Sequence, residues 1–435
     1  MYRYRYVAQI VLEATTPLKV GSGESDFFVD APVLKDWNGL PMILGTSIAG
    51  VMRHSLKKEK SEIDNIFGEK DGSRLLVSNA HLLDENQKLH HSLGIKEKSN
   101  FLKKYSNLPI REHTAITDKG VAKEHSKFDE EVVFAGSRFK FELEFIGDEN
   151  DEALWQELLS LLNSPLFRLG GGSTKGFGEM RVVSCLEQTY ILGKDYGDKP
   201  SDLNNTINDK DKKYTHQQSY SIYKISIEPD SFFSFGAGFG DDEVDDISVT
   251  EEVVQWKNKK GEFSKKQILL PASSLKGALS HRVAFHYNKL EKNFADNIPS
   301  EEFEEYIGEN NLAVATIFGA SKSHKNEGKG KALFSDMFKL FHENEVKIFD
   351  HVKIDRFTGG AIDSALYNEK VNGQKDKWDI EIVLADKLDN NIKKAFENSL
   401  NDLCKGLLPL GGKVNRGHGI FEGSWSCKEI NNVEN

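Results

Sequence analysis

Apolar residues fall at every second position over 7–13 (VAQIVLE), 139–145 (FKFELEF), 221–229 (SIYKISIEP) and 378–384 (WDIEIVL). A two-residue period puts one face of a strand against a core. Residues 151–163 and 388–400 carry apolar positions at helical spacing instead, and Ile48, Met52 and Leu56 share one helical face. The elements run strand, helix, strand, long hairpin, strand, helix, strand, and that order occurs twice. It predicts an α+β chain of two tandem ferredoxin-like (RRM-like) β-α-β-β-α-β units, each with a thumb-like hairpin. Helices would cover one face of each antiparallel sheet and leave the other face free for a ligand.

The repetition extends to individual residues. Ser47, Gly50 and His54 answer Ser274, Gly277 and His281, and Ile66-Phe67-Gly68 answers Ile317-Phe318-Gly319. In the hairpins, 110–131 answers 349–370, with Ile116 on Ile354 and Ala122 on Ala361. This many matches in one order read as a tandem duplication. Residues 188–218 are polar and charged, which predicts a flexible linker between domains at 1–187 and 219–435. The polar inserts 84–108 and 321–331 read as loops. Thr46 or Ser47, and Ser274, are the expected helix N-caps.

Charge narrows the picture. The 435 residues carry a net charge of −11, which argues against indiscriminate nucleic-acid binding and leaves room for a narrow basic groove. Cys185, Cys404 and Cys427 are scattered and suggest neither a disulfide framework nor a zinc site. No apolar run approaches the roughly 18 residues of a membrane span, and the opening MYRYRYVAQIVLEA alternates like a strand. The expectation is a cytoplasmic protein with no membrane partner.

Each unit closes on a Gly-rich turn. Leu169-Gly170-Gly171-Gly172-Ser173-Thr174-Lys175-Gly176-Phe177-Gly178 nearly recurs as Leu410-Gly411-Gly412-Lys413-Val414-Asn415-Arg416-Gly417-His418-Gly419. Four glycines keep register, and a cation, Lys175 or Arg416, precedes the third. Exposed N–H groups around Gly171 and Gly412 with a fixed cation suit a phosphate backbone. The starts of the helices at Ser47 and Ser274 are further phosphate sites through their orphan N–H groups. Lys276, Arg53 and Arg282 lie within two turns of those starts, and His54 and His281 are in register for packing or RNA contact. Lys119 and Arg356 sit in the hairpins among Ile, Phe and Ala, where a basic hairpin can wedge between bases.

Taken together, LPASSLKGALSHR, LGGGSTKGFGEMRV, LGGKVNRGHGIFEG and IDRFTGGAIDSALYNEK resemble the motifs of the RAMP superfamily, the backbone subunits of type III CRISPR effector complexes. The resemblance covers both halves and suggests two backbone subunits fused in one chain, as in the III-D-like branch. It implies binding of a CRISPR guide RNA, pairing with a single-stranded target RNA, and assembly with other backbone and large subunits. Nuclease members of that family carry one aspartate in the loop before the first helix, and Val29-Asp30-Ala31-Pro32-Val33-Leu34-Lys35-Asp36 fits its form. The second half offers Asp245 and Asp246 without the Pro-Val. Counting back from its helix puts Thr250 or Glu251 at the matching place instead.

Cutting RNA needs no side-chain nucleophile, because the 2′-hydroxyl can attack its own phosphate. Asp30 would hold a divalent cation, Mg²⁺ being the natural choice, against a phosphate oxygen, or take a proton. No Ser-His or His-His pair lies near it in sequence. The expectation is a metal-dependent, RNA-guided endoribonuclease with its stronger site in the first half. A purely structural RNA-binding subunit and an endoribonuclease that matures the guide precursor are the alternatives. A nucleotide-binding enzyme built on the Gly loops fails, since no Gly-Lys-Ser/Thr occurs.

Overall fold

The computed structural model describes residues 2–430 except 25–28, 70, 118–119, 209, 323 and 325, so Lys119 lies outside the described residues. Each half is built on one antiparallel sheet of the same order. In the first, Tyr4–Ala14 lies between Arg138–Gly147 and Met180–Ile191, with Leu75–Val77 and Ala80–Leu82 beyond Arg138–Gly147. In the second, Tyr220–Pro229 lies between Trp378–Leu384 and Phe421–Ile430, with Ala332–Leu333 at the edge. The alternating strands set this up: Phe139, Phe141, Leu143 and Phe145 are fully buried on one face. Helices Gly45–Ser55 and Glu152–Leu161 cover that face, as Ala272–Leu290 and Asn390–Cys404 do in the second half. The last of these buries Ile392, Ala395, Phe396, Ser399, Leu400 and Leu403, a single helical stripe.

Three expectations need correction. The helix starts are not capped by Ser47 or Ser274, which lie inside the first turn; the caps are Leu44 and Pro271. The first free N–H of each helix is instead met from the short break between two neighbouring strands. Asn79 Oδ1 accepts from Gly45 N at 2.9 Å, and Asp336 Oδ1 accepts from Ala272 N at 2.8 Å. The 188–218 segment is not a loose tether. Its Asn205 carbonyl accepts from the buried Gln9, its Asn204 side chain bonds Leu89 both ways, and its Asp211 accepts from Cys185 N. Polar composition hid this because the segment is held by amide and carboxylate bonds rather than by apolar burial. It also roofs the first sheet, so the face left free for a ligand exists only in the second half, where Lys224 and Glu228 are exposed.

The halves are locked together. The hairpin Val254–Lys257/Lys260–Phe263 of the second half reaches into the first-half core, where Phe263 meets Phe101 and Phe134 at ring distances of 5.1 and 5.0 Å. Its Trp256 Nε1 donates to the Gly136 carbonyl at 2.8 Å under the guanidinium of Arg138. A Cβ at Gly136 would overlap the Val254 carbonyl, so only glycine allows the approach. Nearby, Arg111 of the first half is 5% exposed and pairs with Glu251 and Asp336 of the second. Gly176 of the first closing turn bridges Ser335, beside Asp336 and Ala272.

Candidate functional site

Asp30 is fixed by a reciprocal clasp to the hairpin. Its N–H donates to Asp129 Oδ1 at 2.8 Å, and its Oδ2 accepts from Asp129 N at 3.1 Å. The second half repeats this with Asp245 and Asn368, at 3.0 Å in both directions. The next residues pair in parallel in both places, Ala31 with Glu130 and Asp246 with Glu369. This sets the register between the halves: Asp245 stands where Asp30 stands. Asp246 matches Ala31 and is held by Lys413 at 2.9 Å. Thr250 and Glu251 match Lys35 and Asp36, and Glu251 is spent on Arg111 in the joint.

Beside each clasp lies a buried glutamate. Glu130, 2% exposed, contacts Lys19, and His113 Nε2 lies 2.8 Å away. Glu369, 1% exposed, holds His351 Nε2 at 2.7 Å and Lys413 and Arg416 at 3.2 Å each. Each histidine stacks on the ring across the hairpin, His113 on Phe128 at 5.0 Å and His351 on Tyr367 at 4.9 Å. The closing-turn cation lies over that same ring, Lys175 at 5.1 Å and Arg416 at 5.0 Å. Aspartate, glutamate, histidine, aromatic ring and cation therefore form one constellation, made twice. Each constellation holds a single histidine, from a hairpin strand far from the aspartate in sequence.

Burial works against the charge on Glu130, but His113 and Lys19 outweigh it and hold its pKa down at about 2. A depressed carboxyl pKa stabilises the fold above the unfolded value near 4.5, and that stability is lost as pH falls toward 2. Glu130→Gln should therefore lower the unfolding midpoint at pH 7, and the gap from the unaltered protein should narrow between pH 5 and pH 2. A gap that stays constant in pH-dependent melts would contradict an ionic role.

Other expected contacts divide. Lys175, Arg416, Arg356, Ser47, His54 and His281 are exposed. Gly171 and Gly412 are exposed too, but their N–H groups are not free for a phosphate as expected: they donate to the carbonyls of Lys19 and Ser234 at 2.8 Å each, which ties each closing turn to the chain just after its unit's first strand. Arg53 is occupied, donating to the Gly68 carbonyl and pairing with Asp64. Arg282 points to the back, pairing with Asp402 and bonding the Leu407 carbonyl. Lys276 lies in the joint and donates to Thr174 Oγ1 and the Phe318 carbonyl; burial, with Lys175 nearby, lowers its pKa to about 8. These three serve packing because a long side chain on a helix flank finds closer partners inside the fold than at its rim. Glu130, Glu369, His113 and His351 were missed. The second hairpin has one more residue between Ile354 and Ala361 than the first has between Ile116 and Ala122, so an ungapped comparison misaligns the histidines.

Among the described residues, no helix is long and apolar enough to cross a membrane. No curated protein matches the chain. The family profile of the RAMP superfamily matches residues 11–181 and again 261–422, one stretch in each sheet-and-hairpin unit and together well over half of the sequence. With two copies of the fold, two clasped hairpins and two profile matches, the chain belongs to the RAMP superfamily of CRISPR-associated RNA-binding proteins.

Proposed function

We propose that the chain is a guide-RNA-binding backbone subunit of a type III CRISPR effector complex, and that it cuts the paired target RNA at Asp30 and, more slowly, at Asp245. The observation that carries this reading is the clasp made twice. It ties a loop carboxylate to the base of a hairpin that presents exposed apolar residues, Ile116 and Val121 in one half and Ile354 and Phe357 in the other. Such a hairpin can part neighbouring bases and leave the backbone bent beside the carboxylate. Base pairing with the guide would read the sequence.

Asp30 and Asp129 each use one carboxylate oxygen in the clasp, and the other accepts no hydrogen bond among the described residues. Two hard oxygen donors suit Mg²⁺, which keeps most of its waters and needs only one or two carboxylates beside an RNA phosphate. No cluster of three or more metal-binding side chains occurs among the described residues, so the phosphate would complete the site. When bound, the cation would polarise the phosphate and stabilise its developing charge. Asp30 orients that centre, and Lys175 lies close enough to the hairpin base to hold a neighbouring phosphate. In the second half Asn368 replaces Asp129, which removes one carboxylate and weakens cation binding.

The test is cleavage of a matched target by the assembled complex. A target with a single 2′-deoxy sugar at the cut position should stay intact there and be cut normally elsewhere. Excess chelator should stop every cut made by this chain. Full-rate cleavage in chelator removes the metal from the reading.

A further inference from the structure

An open cleft of about 480 Å³ lies at the base of the second hairpin, bounded by Ser231, Phe232, Phe349, His351, Arg416 and His418. Its size falls in the range of small-ligand sites. Three rings meet there. Phe232 and Phe349 are 5.3 Å apart, and His418 lies 6.1 and 5.8 Å from them. The rim is built, and Arg416 gives it a cation. Arg416 and His351 are both anchored by Glu369, a carboxylate almost wholly buried. A guanidinium has five donors, and the bond to Glu369 leaves others facing out.

Among the described residues, the equivalent place in the first half is filled. Register places Pro17 at Phe232, because Leu18 pairs with Val133 as Phe233 pairs with Asn372. Arg111 stands at Phe349, each opposite its buried glutamate across the hairpin, and Phe177 stands at His418. There Phe177 is buried, and Arg111 turns away into Glu251 and Asp336. The second half itself closes that place. The open cleft cannot repeat the arrangement, since Phe349 cannot receive a pair of carboxylates. A protein unit docked as in the joint would bring carboxylates to an aromatic wall. Aromatic walls under a fixed arginine are instead the composition that holds an unstacked nucleotide, the base on the rings and the phosphate on the cation.

We infer that this cleft binds one unstacked nucleotide of single-stranded RNA, with its base against Phe232, Phe349 and His418 and its phosphate on Arg416. The inference rests on the RNA-binding reading above and adds a position that is not the cutting site.

The experiment uses the full chain without divalent cation and a short single-stranded RNA carrying one 2-aminopurine, titrated by fluorescence anisotropy at several salt concentrations. Phe232→Ala with Phe349→Ala should raise Kd about 10-fold or more and leave the salt slope unchanged, because stacking is not ionic. Arg416→Gln should flatten the slope by about one. Should the double variant fold poorly, crosslinking of 4-thiouridine RNA to the unaltered chain decides. A crosslink at Phe232, Phe349 or His418 supports the cleft, and crosslinks confined to other places overturn it. Unchanged Kd in a folded double variant also overturns it, as does a variant that alters self-association but not RNA affinity, which would mark a protein joint. If the unaltered chain binds no RNA at all, the broader RNA-binding reading fails; if it binds but ignores the cleft, only this inference does.

Discussion

Alanine at Asp30 should abolish one cut in the matched target RNA, with the rate at that position falling about 100-fold or more, while guide binding and assembly stay intact. The substitution removes the carboxylate that accepts from Asp129 N, but the Asp30 N–H still reaches Asp129 Oδ1, so the hairpin keeps half of its clasp. Asp245→Ala should remove a second and slower cut. The reason for the inequality is local. The first site has two carboxylates where the second has Asp245 beside the neutral amide of Asn368. Asn368→Asp should therefore strengthen the second cut, and Asp129→Asn should weaken the first. A cleavage ladder from each variant complex reads all four. If Asp30→Ala leaves every band in place while Asp245→Ala removes one, the stronger half has been assigned wrongly.

Arg111→Ala should cost about 3–5 kcal/mol of stability, the usual result of removing one partner from a buried ion pair. The guanidinium is the bridge between halves, with Nη1 at 3.0 Å from Asp336 and Nη2 at 3.0 Å from Glu251. Burial already pushes the Asp336 carboxyl upward against the pull of Arg111. Without the arginine, two buried carboxylates face each other. Urea titration should show a lower midpoint, and adding Glu251→Gln and Asp336→Asn to Arg111→Met should recover much of the loss. A single Arg111→Ala protein with an unchanged midpoint would mean that the joint does not depend on this pair.

Much of the fold was legible because strands and helices of this chain are strongly periodic. Alternation over 139–145 and 378–384 placed the central strands, and the stripe through Ile392, Phe396 and Leu400 placed a helix. The duplication supplied the topology. What escaped was held together by polar or long-range bonds. The free N–H groups at the helix starts are met by Asn79 and Asp336, which lie 34 and 64 residues further along the chain. Of the site, Asp30 was legible because Pro32 and its neighbours give the loop a recognisable form. Its counterpart was blurred by a run of acids from Asp241 to Asp246, and only the clasp with Asn368 separates Asp245 from the rest. Glu130 and Glu369 look like ordinary hairpin charges in sequence. Their burial comes from cations that arrive from other loops, which no local pattern encodes.

The wedge formed by Val254–Lys257 and Lys260–Phe263 also sets an order of events on the ribosome. Phe101, Tyr105 and Phe134 emerge early, but the rings that cover them, Trp256 and Phe263, are made more than a hundred residues later. At ordinary elongation rates that interval is on the order of ten seconds. During it the nascent first half carries an open aromatic patch, a surface that invites chaperones or a neighbouring chain. Joining the halves in one chain therefore does more than tether two domains. A gene split between the halves would release a first protein with an unfinished core, so the two can no longer be separated without new residues to seal it.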